Sequence, residues 1–295
     1  MTEPASTASA PRSLAGLREI AAGYDGYLID LWGVIHDGVA PYAGAIDCLA
    51  ALRRAGKRVV ILSNAPRRAA EVRERTAALG VDATLYEDLV SSGEETWRDL
   101  AAWRDPFYAT LGRRFYPIMA RRDLGMLEGL AIEPVEDIDR ASFILNTGVA
   151  GPNDRLPAFE PLLDRARARD LPMICANPDL VVIRGGVREI CAGSIAEAYE
   201  RRGGRVRYHG KPHPGVYARC LERLAPIPAA RILAIGDSLR TDIAGAGGAG
   251  LDSLFILDGI HAEELGGTGT GNPRLGTLFE GWPHRPTALA TRFVW

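Results

Sequence analysis

The sequence predicts a doubly wound parallel α/β sheet interrupted by an inserted second α/β domain. Three observations carry this expectation. Short apolar runs at 27–31, 58–63, 231–236 and 253–257 are bounded by turn residues and read as buried strands. Segments 43–55, 65–79, 214–224 and 242–249 read as helices, the first two closed by Gly56 and Gly80, so that strand and helix alternate. Between Ser92 and Arg205 the rhythm breaks for more than a hundred residues, far too long for a loop. That stretch has its own strand candidates at 142–146 and 172–176 and helix candidates at 159–169 and 193–202, enough for a domain of its own. The expected division is therefore a flexible tail at 1–12, a core assembled from 13–91 and 206–295, and an insert at 92–205. After Asp258 the chain is Gly/Thr-rich (266–271) and then amphipathic around 275–282, which reads as a surface segment.

Composition narrows the function classes. The 295 residues are 47% hydrophobic, with a net charge of −2 and a pI near 6.2, which gives no reason to expect a nucleic-acid or membrane-surface partner. No apolar run approaches the ~18 residues of a membrane span. Residues 1–12, rich in Ala, Ser, Thr and Pro, lack the basic start and apolar stretch of a signal peptide. The four cysteines, Cys48, Cys175, Cys191 and Cys220, form no C-x-x-C pair, which fits reduced thiols in the cytoplasm. Of 35 Lys and Arg residues two are lysines, Lys57 and Lys211. A lysine retained in so arginine-rich a chain points to a task for a compact ammonium.

The predicted strand ends carry the chemistry. Strand 27–31 delivers Asp30 ahead of the turn at Gly33; strand 58–63 ends in Ser63-Asn64; strand 231–236 ends in Gly236-Asp237-Ser238, with Asp242 five residues after Asp237. Gly210-Lys211-Pro212 opens the helix at 214–224. In open α/β sheets the carboxyl edge of the strands is where ligands bind. These groups suit phosphoryl transfer to a carboxylate. Asp30 can attack; Asp237 can share a divalent cation with it; Asp242 can hold a cation-bound water or brace the site. Ser63 and Asn64 can donate hydrogen bonds to phosphoryl oxygens, and Lys211 can neutralise developing charge. Asn177 and Asp179, flanking Pro178 in the insert, either face a substrate or shape a turn; Arg184 either meets an anionic substrate or, the safer reading in so arginine-rich a chain, lies at the surface.

Taken together, these four elements resemble the haloacid dehalogenase (HAD) superfamily, and their order and spacing resemble its subclass IIA, the NagD-like group. G-D-S-x-x-x-D-I-x-G-A at 236–246 is the most specific element; Gly33-Val34-Ile35 and Cys175-Ala176-Asn177-Pro178-Asp179 support it, and the likeness spans about 24–260. The resemblance implies a Rossmann-like core with a C2-type cap, a cytoplasmic Mg²⁺-dependent hydrolase, and a small phosphorylated metabolite as substrate. It implies Asp30, Asp237 and the backbone carbonyl of Trp32 as Mg²⁺ ligands, with Asp242 nearby, and it leaves room for a homo-oligomer paired through the cap.

One position departs from the family. Most phosphatases of this group carry Asp-x-Asp, the second Asp protonating the leaving oxygen and later activating water. Here it is Trp32, whose indole N–H is neither acid nor base near neutral pH. Lost acid–base help typically costs ~10²–10⁴-fold. His36 or Asp37 could stand in, although His-Asp-Gly also reads as an exposed turn. Two alternatives follow: a weakened phospho-ligand-binding or regulatory protein, or a carbon-attacking dehalogenase, since dehalogenases of the superfamily also place an aromatic residue here.

Overall fold

The computed structural model describes residues 10–151, 153–267 and 269–295. Along the chain run β1 (Arg12–Leu14), β2 (Gly26–Ile29), α1 (Ala45–Arg54), β3 (Arg58–Ser63), α2 (Ala69–Ala78), β4 (Asp88–Ser91), α3 (Ser92–Ala102) and α4 (Pro106–Ala109). There follow β5 (Arg114–Ile118), β6 (Glu133–Pro134), β7 (Phe143–Asn146), α5 (Glu160–Ala168), β8 (Met173–Cys175), β9 (Val181–Arg184), β10 (Val187–Ile190), α6 (Ala192–Arg201) and β11 (Val206–Tyr208). The chain closes with α7 (Pro214–Leu224), β12 (Ile232–Gly236), α8 (Ala244–Gly248), β13 (Asp252–Ile256), α9 (Ala262–Leu265), α10 (Leu275–Leu278) and β14 (Ala288–Ala290).

Two parallel sheets organise these elements. The larger has seven strands in the order β1-β14-β13-β12-β2-β3-β4, and the smaller five in the order β11-β8-β7-β5-β6. β9 and β10 form a separate antiparallel hairpin. The large sheet is covered on both faces, which is why its strands read as unbroken apolar runs. In β2, Tyr27 and Ile29 join one core cluster with Leu49 and Leu52 of α1, whereas Leu28 joins the opposite one with Val216, Tyr217 and Cys220 of α7. The small sheet has its own core, with Ile144, Met173 and Cys175 packed against Leu163 of α5 and Ile195 and Tyr199 of α6.

The expected α/β class and strand–helix alternation are present, and four expectations need correction. The segment after Asp258 is part of the core: Leu275, Leu278 and Phe279 are buried against Phe255, Leu239 and Ile243, and β14 sits between β1 and β13. Its buried apolar side chains are few but sit in the core, so a polar composition did not mean exposure of the whole segment. Arg12 belongs to a strand, because β1 pairs with β14 from that residue onward; of the expected tail, residues 1–9 lie outside the described residues. The helix expected at 242–249 starts as a wide π-type turn at Leu239–Ile243, with α8 following. β11 pairs with β8, so the small sheet takes in residues 206–208.

Candidate active site

β12, β2 and β3 lie side by side and run in one direction, so their carboxyl ends bring Asp237, Asp30 and Ser63 to one edge. A carboxylate oxygen from each of Asp30, Asp237 and Asp242 can be chosen so that all lie within 4.8 Å of one another. Lys211 Nζ lies 2.7 Å from Asp30 Oδ1 and 2.7 Å from Asp242 Oδ1. Asp30 Oδ1 also accepts the Leu31 N–H (2.8 Å), Asp237 Oδ2 the Ile260 N–H (2.7 Å), and Asp242 Oδ2 the Ser238 N–H (3.2 Å). Both oxygens of Asp242 are therefore engaged, the arrangement of a brace for Lys211. Gly33, with φ +73°, passes so close to Asp237 that an added Cβ would fall 1.8 Å from Oδ2; the loop after β2 can close over this carboxylate only without a side chain there.

The electrostatics follow from burial. Asp30, Lys211, Asp237 and Asp242 are all nine-tenths or more buried. Desolvation pushes the Asp30 carboxyl well above its usual range against the pull of Lys211, and lifts Asp237 to about 7 with help from the Asp242 charge. Burial opposes the Lys211 charge, but Asp242 and Asp30 hold the ammonium well above its ordinary value. Three buried carboxyls facing one ammonium lack the positive charge that would keep all of them ionised. An all-oxygen donor set of this kind fits a hard divalent cation such as Mg²⁺.

The remaining expected residues have distinct places. Ser63 is fully buried, and its Oγ accepts the Ala65 N–H at 3.2 Å. The Asn64 amide, expected to contact substrate, is engaged at both ends: Oδ1 accepts the Lys211 N–H (2.7 Å), and Nδ2 donates to Asp179 Oδ1 (2.8 Å) and, at 3.3 Å, to the Lys211 carbonyl. It thus joins the Lys211 loop to the second domain. Asn177 borders the cleft, and its Oδ1 accepts the Asp179 N–H at 3.0 Å, an Asx turn.

Trp32 is half-buried and forms one wall of the cleft that holds Asp30. Its ring meets His36 edge-on, 5.2 Å between centroids, and Gly38 lies against it so closely that a Cβ would fall 2.0 Å from the indole. The expected stand-ins are committed elsewhere. His36 is buried, its Nδ1 accepts the Gly38 N–H (3.1 Å), and burial pushes its pKa down to about 4. Asp37 Oδ1 accepts the Val39 and Ala40 N–H groups at 2.8 Å each.

Three arginines meet at the junction of the two sheets, Arg184 from the second domain and Arg67 and Arg240 from the core. Arg184, expected at the surface, places its guanidinium 4.8 Å from the Trp32 ring centre and 3.4 Å from Glu189. Arg67, just beyond Asn64, pairs with buried Asp123 at 2.8 Å, and Thr147 donates to the other oxygen of Asp123. Arg240 donates to the Pro178 carbonyl at 2.6 Å. The Gly185-Gly186 pair between two β-rich runs was the available signal for the hairpin that carries Arg184.

Comparison with known proteins gives this geometry a family. Residues 27–132 match the model of haloacid dehalogenase-like hydrolases, and 208–290 match a HAD-hydrolase-like model. A crystal structure of a haloacid dehalogenase-like hydrolase from Brucella suis 1330 superimposes with a TM-score of 0.82 at 32% identity, covering 95% of this chain and all of that one. The chain belongs to the haloacid dehalogenase-like family. Its hydrolase core is the seven-stranded sheet bearing Asp30 and Asp237. Within the family, D-glycerol 3-phosphate phosphatase of Mycobacterium tuberculosis is 29% identical over 247 residues; the match covers 83% of this chain but only 66% of that protein's length. A glycerol phosphate phosphatase from the same organism, solved in complex with magnesium, is 27% identical with a TM-score of 0.66, covering 92% of this chain and 75% of that one.

Proposed function

We propose that this hydrolase is a Mg²⁺-dependent phosphatase of a small phosphorylated metabolite, working through an aspartyl-phosphate on Asp30. The carrying observation is the buried Asp30–Lys211–Asp242 chain beside Asp237 at adjacent strand ends. Asp30 and Asp237 are the residues that would hold Mg²⁺, with the Trp32 carbonyl as the third ligand implied by the family pattern. When bound, the ion neutralises phosphoryl charge as the carboxylate approaches. Asp30 is the nucleophile. Lys211 opposes the burial that favours the neutral carboxyl of Asp30 and stabilises the spreading negative charge; Asp242 and Asn64 fix Lys211 in place. Ser63, at the end of β3, is the candidate donor to the phosphoryl group. Residues 92–205 serve as the cap that closes over the bound ester. The phosphatase names of the relatives and the magnesium in one of them support this reading. Among the described residues no helix is long and apolar enough to cross a membrane; the four buried free cysteines fit a reducing compartment.

The test is hydrolysis of p-nitrophenyl and acetyl phosphate with and without Mg²⁺. Turnover should require the ion and vanish in Asp30→Asn. Mg²⁺ binding with no turnover of any phosphate would instead select a phospho-ligand-binding protein, the reading that Trp32 favours. Chloride release from haloacids would select the dehalogenase.

A further inference from the structure

We infer that this site prefers phosphates whose leaving group departs as an anion without taking a proton, acyl and electron-poor aryl phosphates, over alkyl phosphates. The inference rests on the phosphatase reading and narrows its substrate class. Trp32 lines the cleft two residues from Asp30 and brings no titratable group to it. The neighbours that could replace the missing acid are turned to other work: His36 is buried edge-on against the indole and accepts the Gly38 N–H, and the Asp37 carboxylate holds two backbone N–H groups of its own turn. Of the other acids lining the cleft, Asp123 is paired with Arg67 and Glu189 with Arg184, while Asp179 accepts from Asn64. What the cleft offers a leaving group is guanidinium. Arg184 lies over the Trp32 ring, and Arg67 and Arg122 line the same cleft. Arginine remains protonated at any working pH, so it stabilises a departing anion and does not serve as its acid.

The chemistry balances without a proton donor in the first step. An Asp30 oxygen forms a bond to phosphorus, the bond from phosphorus to the leaving oxygen breaks, and that oxygen leaves with the electron pair as carboxylate or phenolate. In the second step water adds to phosphorus, the bond to Asp30 breaks, the carboxylate is restored, and the water proton leaves with the inorganic phosphate or to solvent. The second step also lacks the base that Asp would have been, so the phosphorylated protein should accumulate.

The experiment measures kcat/KM for acetyl phosphate, p-nitrophenyl phosphate, phenyl phosphate and glycerol 3-phosphate with the full chain and Mg²⁺, in wild type, Trp32→Asp and Asp179→Asn. The expected result is that acetyl and p-nitrophenyl phosphate exceed glycerol 3-phosphate by about 10²–10⁴-fold, the share a general acid normally supplies. A burst of p-nitrophenol should match phosphoenzyme formed, and Trp32→Asp should narrow the gap. Equal kcat/KM across the series overturns the inference. Selective loss of glycerol 3-phosphate turnover in Asp179→Asn also overturns it, by naming Asp179 as the acid. The wild-type series decides the point even if Trp32→Asp does not fold, and no turnover of any of the four overturns the phosphatase reading together with this one.

Discussion

Two buried histidines make the clearest single-residue test of stability. Burial pushes His36 down to about 4 and His209, whose Nε2 is bonded to the Tyr108 hydroxyl, down to about 3, against an ordinary value of about 6.5. Both are therefore neutral in the folded chain at pH 6 and partly protonated when it unfolds. From about pH 6.5 downward the unfolded state binds more protons, so their contribution to stability falls with pH until the folded rings titrate in turn. His36→Gln should flatten the decline between pH 6 and pH 4.5 by close to one proton, about 1.4 kcal/mol per pH unit, measured as the difference from wild type in how the unfolding free energy from urea titrations changes with pH. At this scale the sequence was legible where a residue type served one purpose. Asp30, Asp237 and Lys211 lie where strand ends and turns required. Arg67 was hidden, and Arg184 was assigned to the surface, because an arginine in an arginine-rich chain carries little signal until a partner such as Asp123 or Trp32 is known to face it.

Elements were legible in proportion to their hydrophobic periodicity. β3 and α7 coincide with their expected ranges, since each has a long apolar run or stripe with clear boundaries. β4, β11 and β14 were not read. They are three or four residues long, and β14, Ala288–Ala290, has little strand propensity; tertiary pairing with β1 and β13 makes it a strand. The same context accounts for the tail. Phe279 is 3% exposed and meets Phe255 edge-on at 5.9 Å, so it holds the final segment to the sheet. Phe279→Ala should cost about 3–5 kcal/mol of unfolding free energy, read by chemical denaturation. A loss below about 1 kcal/mol would return the tail to the surface role that its composition suggested.

At the scale of the molecule, the two sheets meet through a small set of specific contacts: Asn64 to Asp179, Arg240 to the Pro178 carbonyl, Arg67 to Asp123, and Arg184 over Trp32. All four have one end on the loops that follow Asp30, Ser63 or Asp237, so the contacts between the sheets and the site share one set of loops. The buried Arg67–Asp123 pair is the most exacting, because removing one charge strands the other; such losses run about 3–5 kcal/mol. Arg67→Ala should therefore loosen the second domain more than the double variant Arg67→Ala, Asp123→Ala, with backbone amide exchange at 121–127 as the readout. Equal loosening in the two would show that the pair adds nothing beyond its parts.

The cysteines extend this picture. Cys48 and Cys220 are packed against the large sheet, Cys175 lies in the small one, and Cys191 edges the cleft at 8% exposure. Burial holds the Cys48 and Cys175 thiols at about 12 and the other two higher still, so none is nucleophilic while packed. The protein thus has a built-in clock in each half: an alkylating reagent that reaches Cys191 ahead of Cys48 records the two halves parting, and one that reaches all four together records the whole chain coming undone.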